Sequence, residues 1–230
     1  MALLLIETAT QVCSVALAEG GEVTARRESD VPNAHSTMLQ VYVEEVLRER
    51  SLEPRGLEAV CVSAGPGSYT GLRIGVSSAK GTCYALGIPL LSVPTLLSMA
   101  ALYYRRNPGY QGLVCPMIDA RRMECYTMVV SPELEVLRPT TADIVEEGLY
   151  DPWLERGEVA FIGDGAGKTE PLLGCHPHAR FDAAFRPSAE GMLGMAMEKL
   201  RRGEAEDTAY FEPFYLKDFV AKKSVVHGLR

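Results

Sequence analysis

The sequence predicts a duplicated α/β protein of two lobes, each opening on a hairpin and later presenting a strand, a glycine turn and a helix. Three observations carry this. Leu3–Ile6, the polar turn Glu7–Gln11 and Val12–Ala18 return 112 residues later as Leu113–Asp119 and Glu124–Val130, which sets Ile6, Glu7, Cys13 and Leu17 against Ile118, Asp119, Cys125 and Val129. Val60–Gly67 is echoed by Ala160–Gly167, each an apolar run ending in Gly-x-Gly. The chain has 230 residues, 47% hydrophobic and 23% charged, so it can bury about 70–75% of its unfolded surface. That order of features favours two α/β lobes over one continuous sheet. The expected division is an N-terminal lobe over 1–106, completed by 213–230, and a C-terminal lobe over 107–212.

The elements follow in order. Between Asn33 and Arg50 the apolar residues Met38, Leu39, Tyr42, Val43, Val46 and Leu47 draw one broad helical face, with Glu44, Glu45, Arg48 and Glu49 opposite. Asn33 or Ser36 is placed to cap it. Leu57–Val62 reads as a strand and feeds the glycine-rich turn and helix of Ser63–Gly87. There every fourth position is small: Gly67, Gly71, Gly75, Ala79, Cys83, Gly87. Residues four apart share one helical face, and interior glycine costs about 0.5–1 kcal/mol against alanine. Something must therefore come close to this backbone: a phosphate, a helix of the same chain or a partner helix. Pro94–Arg106 reads as a third helix, ended by Asn107-Pro-Gly. Ser131–Gly157, with three prolines, reads as loops and one short helix, and Pro187–Arg202 as a fourth helix.

Composition excludes several functions. No apolar run approaches the ~18–20 residues that span a bilayer. The start lacks a basic leader, and the six cysteines are dispersed without a C-x-x-C pair, as in reduced core residues of a cytoplasmic protein. A net charge of −7 argues against this chain alone holding a nucleic-acid backbone. The local exception is Lys217–Arg230, with basic residues at 217, 222, 223 and 230 against Asp218.

The chemical motifs are weak. Glu7 and Asp119 tip the two hairpins and could orient a metal–nucleotide complex, although a turn acid is the simpler reading. Gly65 and Gly67, and Gly163 and Gly165, could offer backbone N–H groups to a phosphate. Gly167-Lys168-Thr169 is not a P-loop, because position 162 is Ile where that motif needs glycine. Cys175-His176-Pro177-His178 lacks zinc spacing and reads as a surface loop. Ser68 reads as a cap and His35 as a polar helix start. No catalytic residue and no metal ligand is expected.

Leu4-Leu-Ile-Glu-Thr-Ala-Thr10 with Cys13–Leu17, Gly65-Pro-Gly-Ser-Tyr-Thr-Gly-Leu-Arg-Ile-Gly75, Ile118-Asp-Ala-Arg121 and Glu212–Lys217 together resemble the TsaB (YeaZ) family from end to end. The resemblance implies an actin/Hsc70/sugar-kinase-like (ASKHA) fold. It further implies a non-catalytic subunit of the machinery that makes N6-threonylcarbamoyladenosine (t6A) at position 37 of tRNA, partnered by the transferase TsaD and the ATPase TsaE. The metal histidines of TsaD fall on Thr95 and Met99 of Val93–Met99, neither an imidazole. Glu7 stands where the family usually has Asp, a shift of about 1.5 Å in the carboxylate. The rival expectation is a metal-dependent glycoprotease-like peptidase or a kinase-like ATP-binding enzyme of the same fold.

The docking surface is expected on the helices near 33–48 and 70–86, with Met38, Leu39, Tyr42, Val43 and Val46 on one and Gly71, Arg73, Ile74, Gly75 and Ser78 on the other. It would make a homodimer when the chain is alone and a heterodimer with a TsaD-like paralogue, with tRNA reached only through the complex. No cofactor is required of this chain, and ATP or ADP is allowed in the complex. Gly75→Trp is expected to abolish partner binding and leave the fold intact.

Overall fold

The computed structural model describes residues 1–217; residues 218–230, with most of the basic C-terminal segment, lie outside the described residues. The first sheet contains β1 (Ala2–Glu7), β2 (Cys13–Glu19), β3 (Glu22–Ser29), β4 (Ala59–Ser63) and β5 (Leu90–Val93), in the order β3-β2-β1-β4-β5. The second contains β6 (Leu113–Asp119), β7 (Glu124–Val130), β8 (Val136–Ile144), β9 (Val159–Ile162) and β10 (Ala179–Asp182), in the order β10-β9-β6-β7-β8. Each sheet is an antiparallel meander joined to a parallel half through its first strand. The second sheet repeats the first strand for strand, as the 112-residue echo predicts.

Burial explains the strand sequences. All six residues of β1 are buried, because a central strand covered on both faces reads as a continuous apolar run. Leu4 and Ile6 enter one core with α1 (Ala34–Glu49) and α2 (Tyr69–Leu86). Leu3 and Leu5 enter another, against Ala189, Met192 and Leu193. β3 is an edge strand with polar residues toward water, so its sequence carries little apolar signal.

Two sequence expectations are revised. Residues 131–157 are not only loops and a short helix: β8 runs for nine residues before the short α4 (Asp151–Leu154). Its Pro139 lies where Thr127 pairs with Thr141 but Val129 with Arg138, so two residues face one across a bulge. An edge strand tolerates proline at such a point. The division at 106 follows chain order rather than packing. Helix α3 (Thr95–Arg106) buries Leu96, Met99 and Leu102 with Val114 and Ile118 of the second sheet. Helix α6 follows α5 (Ala166–Leu173), spans Leu193–Arg202 and lies against the first sheet.

The chain then crosses back over the first lobe. Glu206 N–H donates to Leu90 O (2.8 Å), Lys80 Nζ donates to Ala209 O and Phe211 O, and Phe214 N–H donates to Ala64 O (2.7 Å). Lys217 ends the described residues in an ion pair with Glu124 of β7.

Candidate functional site

The glycine stripe lies against the chain's own β1–β2 turn. A Cβ at Gly67 would sit 2.2 Å from Ala9 O, one at Gly71 2.2 Å from Thr8 O, and one at Gly75 2.2 Å from Thr8 Oγ1. Real side chains cannot approach so closely, so these glycines let α2 press onto Thr8 and Ala9. Ser68 caps α2 by accepting from Gly71 N–H (3.2 Å), and Ser68 N–H donates to Ala9 O (2.6 Å). Thr8 and Ala9 are the contributors that the sequence reading missed. A four-residue glycine period states that something comes close but not what.

Three of the four amides offered as phosphate ligands, those of Gly65, Gly163 and Gly165, are engaged within the chain. Gly65, held at φ 106° where glycine is favoured, donates to Thr95 Oγ1 (3.1 Å), and its carbonyl accepts from Thr95 N–H (2.9 Å). In the second lobe Gly163 N–H donates to Asp182 O and Gly165 N–H to Met117 O, both at 3.1 Å. Thr95 and Met99, on which the resemblance sets the metal histidines of TsaD, are both buried. Among the described residues no group of three His, Cys, Asp or Glu could hold a metal ion.

The two turn acids have opposite surroundings. Glu7 is fully buried. Burial lifts its carboxyl to about 7, against hydrogen bonds from Ala9, Ser63 and Thr8. Its Oε1 accepts from Ala9 N–H (2.6 Å), while Glu7 Oε2 and Thr8 Oγ1 are buried without a partner. Asp119 is half-exposed. Burial works against its charge too, but the Lys168 ammonium and the Arg121 amide outweigh it and hold the acid below its usual range. Lys168, the lysine of the rejected P-loop, is thus the partner of Asp119. The Cys175–His178 loop is closed on itself: His178 N–H donates to His176 Nδ1 (3.2 Å), and His178 Nδ1 meets Leu154 O (2.7 Å). Cys175 is exposed, unlike the other five cysteines.

The expected docking residues separate into two groups. Leu39, Tyr42, Val46, Gly71 and Gly75 are buried inside the first lobe, and Met38, Val43 and Ile74 pack against the same core. The broad face of α1 therefore meets its own sheet, while Leu39 and Ile74 of the expected docking set also reach the outward groove beside Arg73 and Ser78. What α1 and α2 turn outward is a groove of about 670 Å³ lined by Ser36, Thr37, Gln40, Arg73, Ser77 and Ser78 among others. Gln40 Nε2 bridges the two helices by donating to Ser78 Oγ (2.6 Å). The Arg73 guanidinium lies 5.2 Å from the Tyr69 ring.

Comparison with known proteins places this architecture. Residues 29–153 match the family described as "TsaD: tRNA N6-adenosine threonylcarbamoyltransferase". The tRNA threonylcarbamoyladenosine biosynthesis protein TsaB of Escherichia coli is 31% identical, over 98% of this chain and 98% of its own length. The chain belongs to the TsaB family. Among solved structures, YeaZ from Pseudomonas aeruginosa superposes with a TM-score of 0.83 at 29% identity, covering 94% of this chain and 99% of its own. The activator of the 2-hydroxyisocaproyl-CoA dehydratase from Clostridium difficile has only 10% identity but a TM-score of 0.50 over 90% of this chain and 99% of its own. That likeness concerns the fold alone, which is the duplicated ASKHA α/β architecture. No helix among the described residues is long and apolar enough to cross a membrane.

Proposed function

We propose that this chain acts in t6A biosynthesis on tRNA as a non-catalytic, cytoplasmic scaffold subunit. It docks on a TsaD-like transferase through the outward face of α1 and α2, and a TsaE-like ATPase joins the pair. Alone, the same face makes a homodimer, and tRNA is met only through the complex. The observation that most supports this reading is that most amides of the two glycine turns are occupied by the chain itself. The amides of Gly65, Gly163 and Gly165 and the helix start at Ser68 hold the chain's own oxygens, so the surface left for function is a protein-facing one. Any ATP or ADP then belongs to the complex rather than to this chain.

The test uses residues exposed on the groove. Arg73→Glu with Ser77→Glu places two acids on the outward face of α2 without touching the core. The double variant is expected to keep its melting temperature, lose co-elution with the TsaD-like subunit and fail to support t6A formation in a reconstituted reaction. Undiminished co-elution would refute the docking face. Steady ATP hydrolysis or peptide cleavage by the purified chain would instead favour the enzyme reading.

A further inference from the structure

A second cavity, of about 660 Å³, opens on the second lobe at the end of β6 remote from the glycine turns. Ligand pockets commonly measure about 300–1,000 Å³. Its walls are Tyr110, Leu137 and Trp153, and its polar side chains include Gln111, Arg156 and Glu158.

Trp153 is the only tryptophan of the chain, and a guanidinium lies against its ring. The Arg138 guanidinium lies 5.7 Å from the Trp153 ring and 5.7 Å from that of Tyr150. Asp143, itself buried, fixes that arginine: Arg138 Nη2 donates to Asp143 Oδ1 (2.7 Å), and Tyr150 Oη and Thr127 Oγ1 donate to Oδ2. A buried ion pair therefore orients an aromatic platform, the support that a pre-organised site requires. Tyr110 is backed in the same way, with its ring edge-on to Tyr103 at 5.5 Å. Gly109 and Gly157 form an open rim, because a Cβ at either would meet nothing within 4 Å.

The charged side chains that line this cavity are Arg156 and Glu158. Arg138 is neutralised by Asp143, and Glu158 is paired with Arg180 at 2.5 Å. Arg156 is exposed and has no ion-pair partner among the described residues. We propose that this pocket binds a planar aromatic anion, its ring stacked on Trp153 and its negative charge met by Arg156. Nucleoside monophosphates and aromatic carboxylates both have this chemistry. The site is separate from the docking face and does not depend on the function proposed above.

The lone tryptophan supplies the readout. The full-length chain is titrated with AMP and, separately, with benzoate, following tryptophan fluorescence and heat; adenosine and benzamide are the neutral controls. Saturable quenching with a Kd of about 1 mM or tighter is expected for at least one anion. Saturation by AMP identifies a nucleotide as the source, and saturation by benzoate alone a carboxylate. Arg156→Ala is expected to weaken the anion about fivefold and leave its neutral analogue unchanged, and Trp153→Leu to abolish the heat of binding. Arg156→Ala alters only an exposed side chain and reports even if Trp153→Leu fails to fold. Failure of both anions to saturate overturns the proposal, as does anion binding that Arg156→Ala leaves unchanged.

Discussion

Replacing Glu7 by Gln tests whether a carboxyl sealed without a cation burdens the fold. The folded carboxyl titrates near 7 against 4.5 for the free group, a difference worth about 3 kcal/mol. Because the folded value is the higher, the folded chain holds the proton more tightly between pH 4.5 and 7. The group's favourable contribution is intact below about pH 4.5, declines as the pH rises and is fully lost above 7, where the carboxylate must ionise in place. Gln removes that ionisation and keeps an oxygen for Ala9 N–H, but its amide leaves polar atoms unsatisfied at a cost of about 1 kcal/mol. Glu7→Gln should therefore be more stable than the parent by about 2 kcal/mol at pH 8, which for this length raises the melting temperature by about 4–8 °C. The gain should vanish or reverse at pH 4.5. Urea denaturation of both proteins across pH 4.5–8.5 measures it, and the difference between them cancels every other titrating group. A difference that does not change with pH would refute the reasoning, since Glu7 would then titrate alike in the folded and unfolded chain.

Two glycines of α2 should respond in opposite directions to alanine. Gly75→Ala drives a methyl into Thr8 Oγ1 and should destabilise by about 1–3 kcal/mol despite the better helix propensity, whereas Gly81→Ala enters open space and should stabilise by about 0.5–1 kcal/mol. Denaturation midpoints that move the same way would contradict the contact. Asp143→Ala strands the Arg138 charge, whose side chain is only 18% exposed. It should cost about 3–5 kcal/mol and change the Trp153 emission; a chain of parental stability and unchanged emission would show that the pair does not brace the ring.

How much of this was legible in the sequence depended on where each apolar signal came from. β1, β2, β6 and β7 sit at or beside the centre of their sheets and read as apolar runs. β3 and β8 lie at the edges, and their polar sequences carry the periodicity of neither strand nor helix. Helix positions were visible from the 3.6-residue pattern, but not the sheet each would cover, which is why α3 was placed with the lobe that precedes it. In the candidate site the glycine spacing announced a close approach, and the approaching group was a turn some 60 residues away. No spacing could disclose that. The same blindness makes Gly75→Trp unsuitable for probing docking, because its ring would enter Thr8 before meeting any partner. Ser77, two residues on and therefore on the opposite side of the helix, is exposed and isolates the outward face.

The duplication also shows how one ancestral arrangement can lose its symmetry. Glu7 and Asp119 occupy equivalent ends of β1 and β6, and each is followed in space by a helix that starts at a glycine turn. In the first lobe Gly67 leads into that helix and Gly71 and Gly75 lie on it, so its backbone descends onto Thr8 and Ala9. The acid is sealed and its carboxyl is pushed up to about 7. In the second lobe the helix carries Lys168, which reaches both Asp119 Oδ1 and Glu124 O, and the acid stays charged and half-exposed. Burial under bare backbone raises the one acid, while the ammonium of Lys168 helps to hold the other below its usual range. Two carboxylates made unequal in this way no longer form a symmetric pair of hard oxygen ligands.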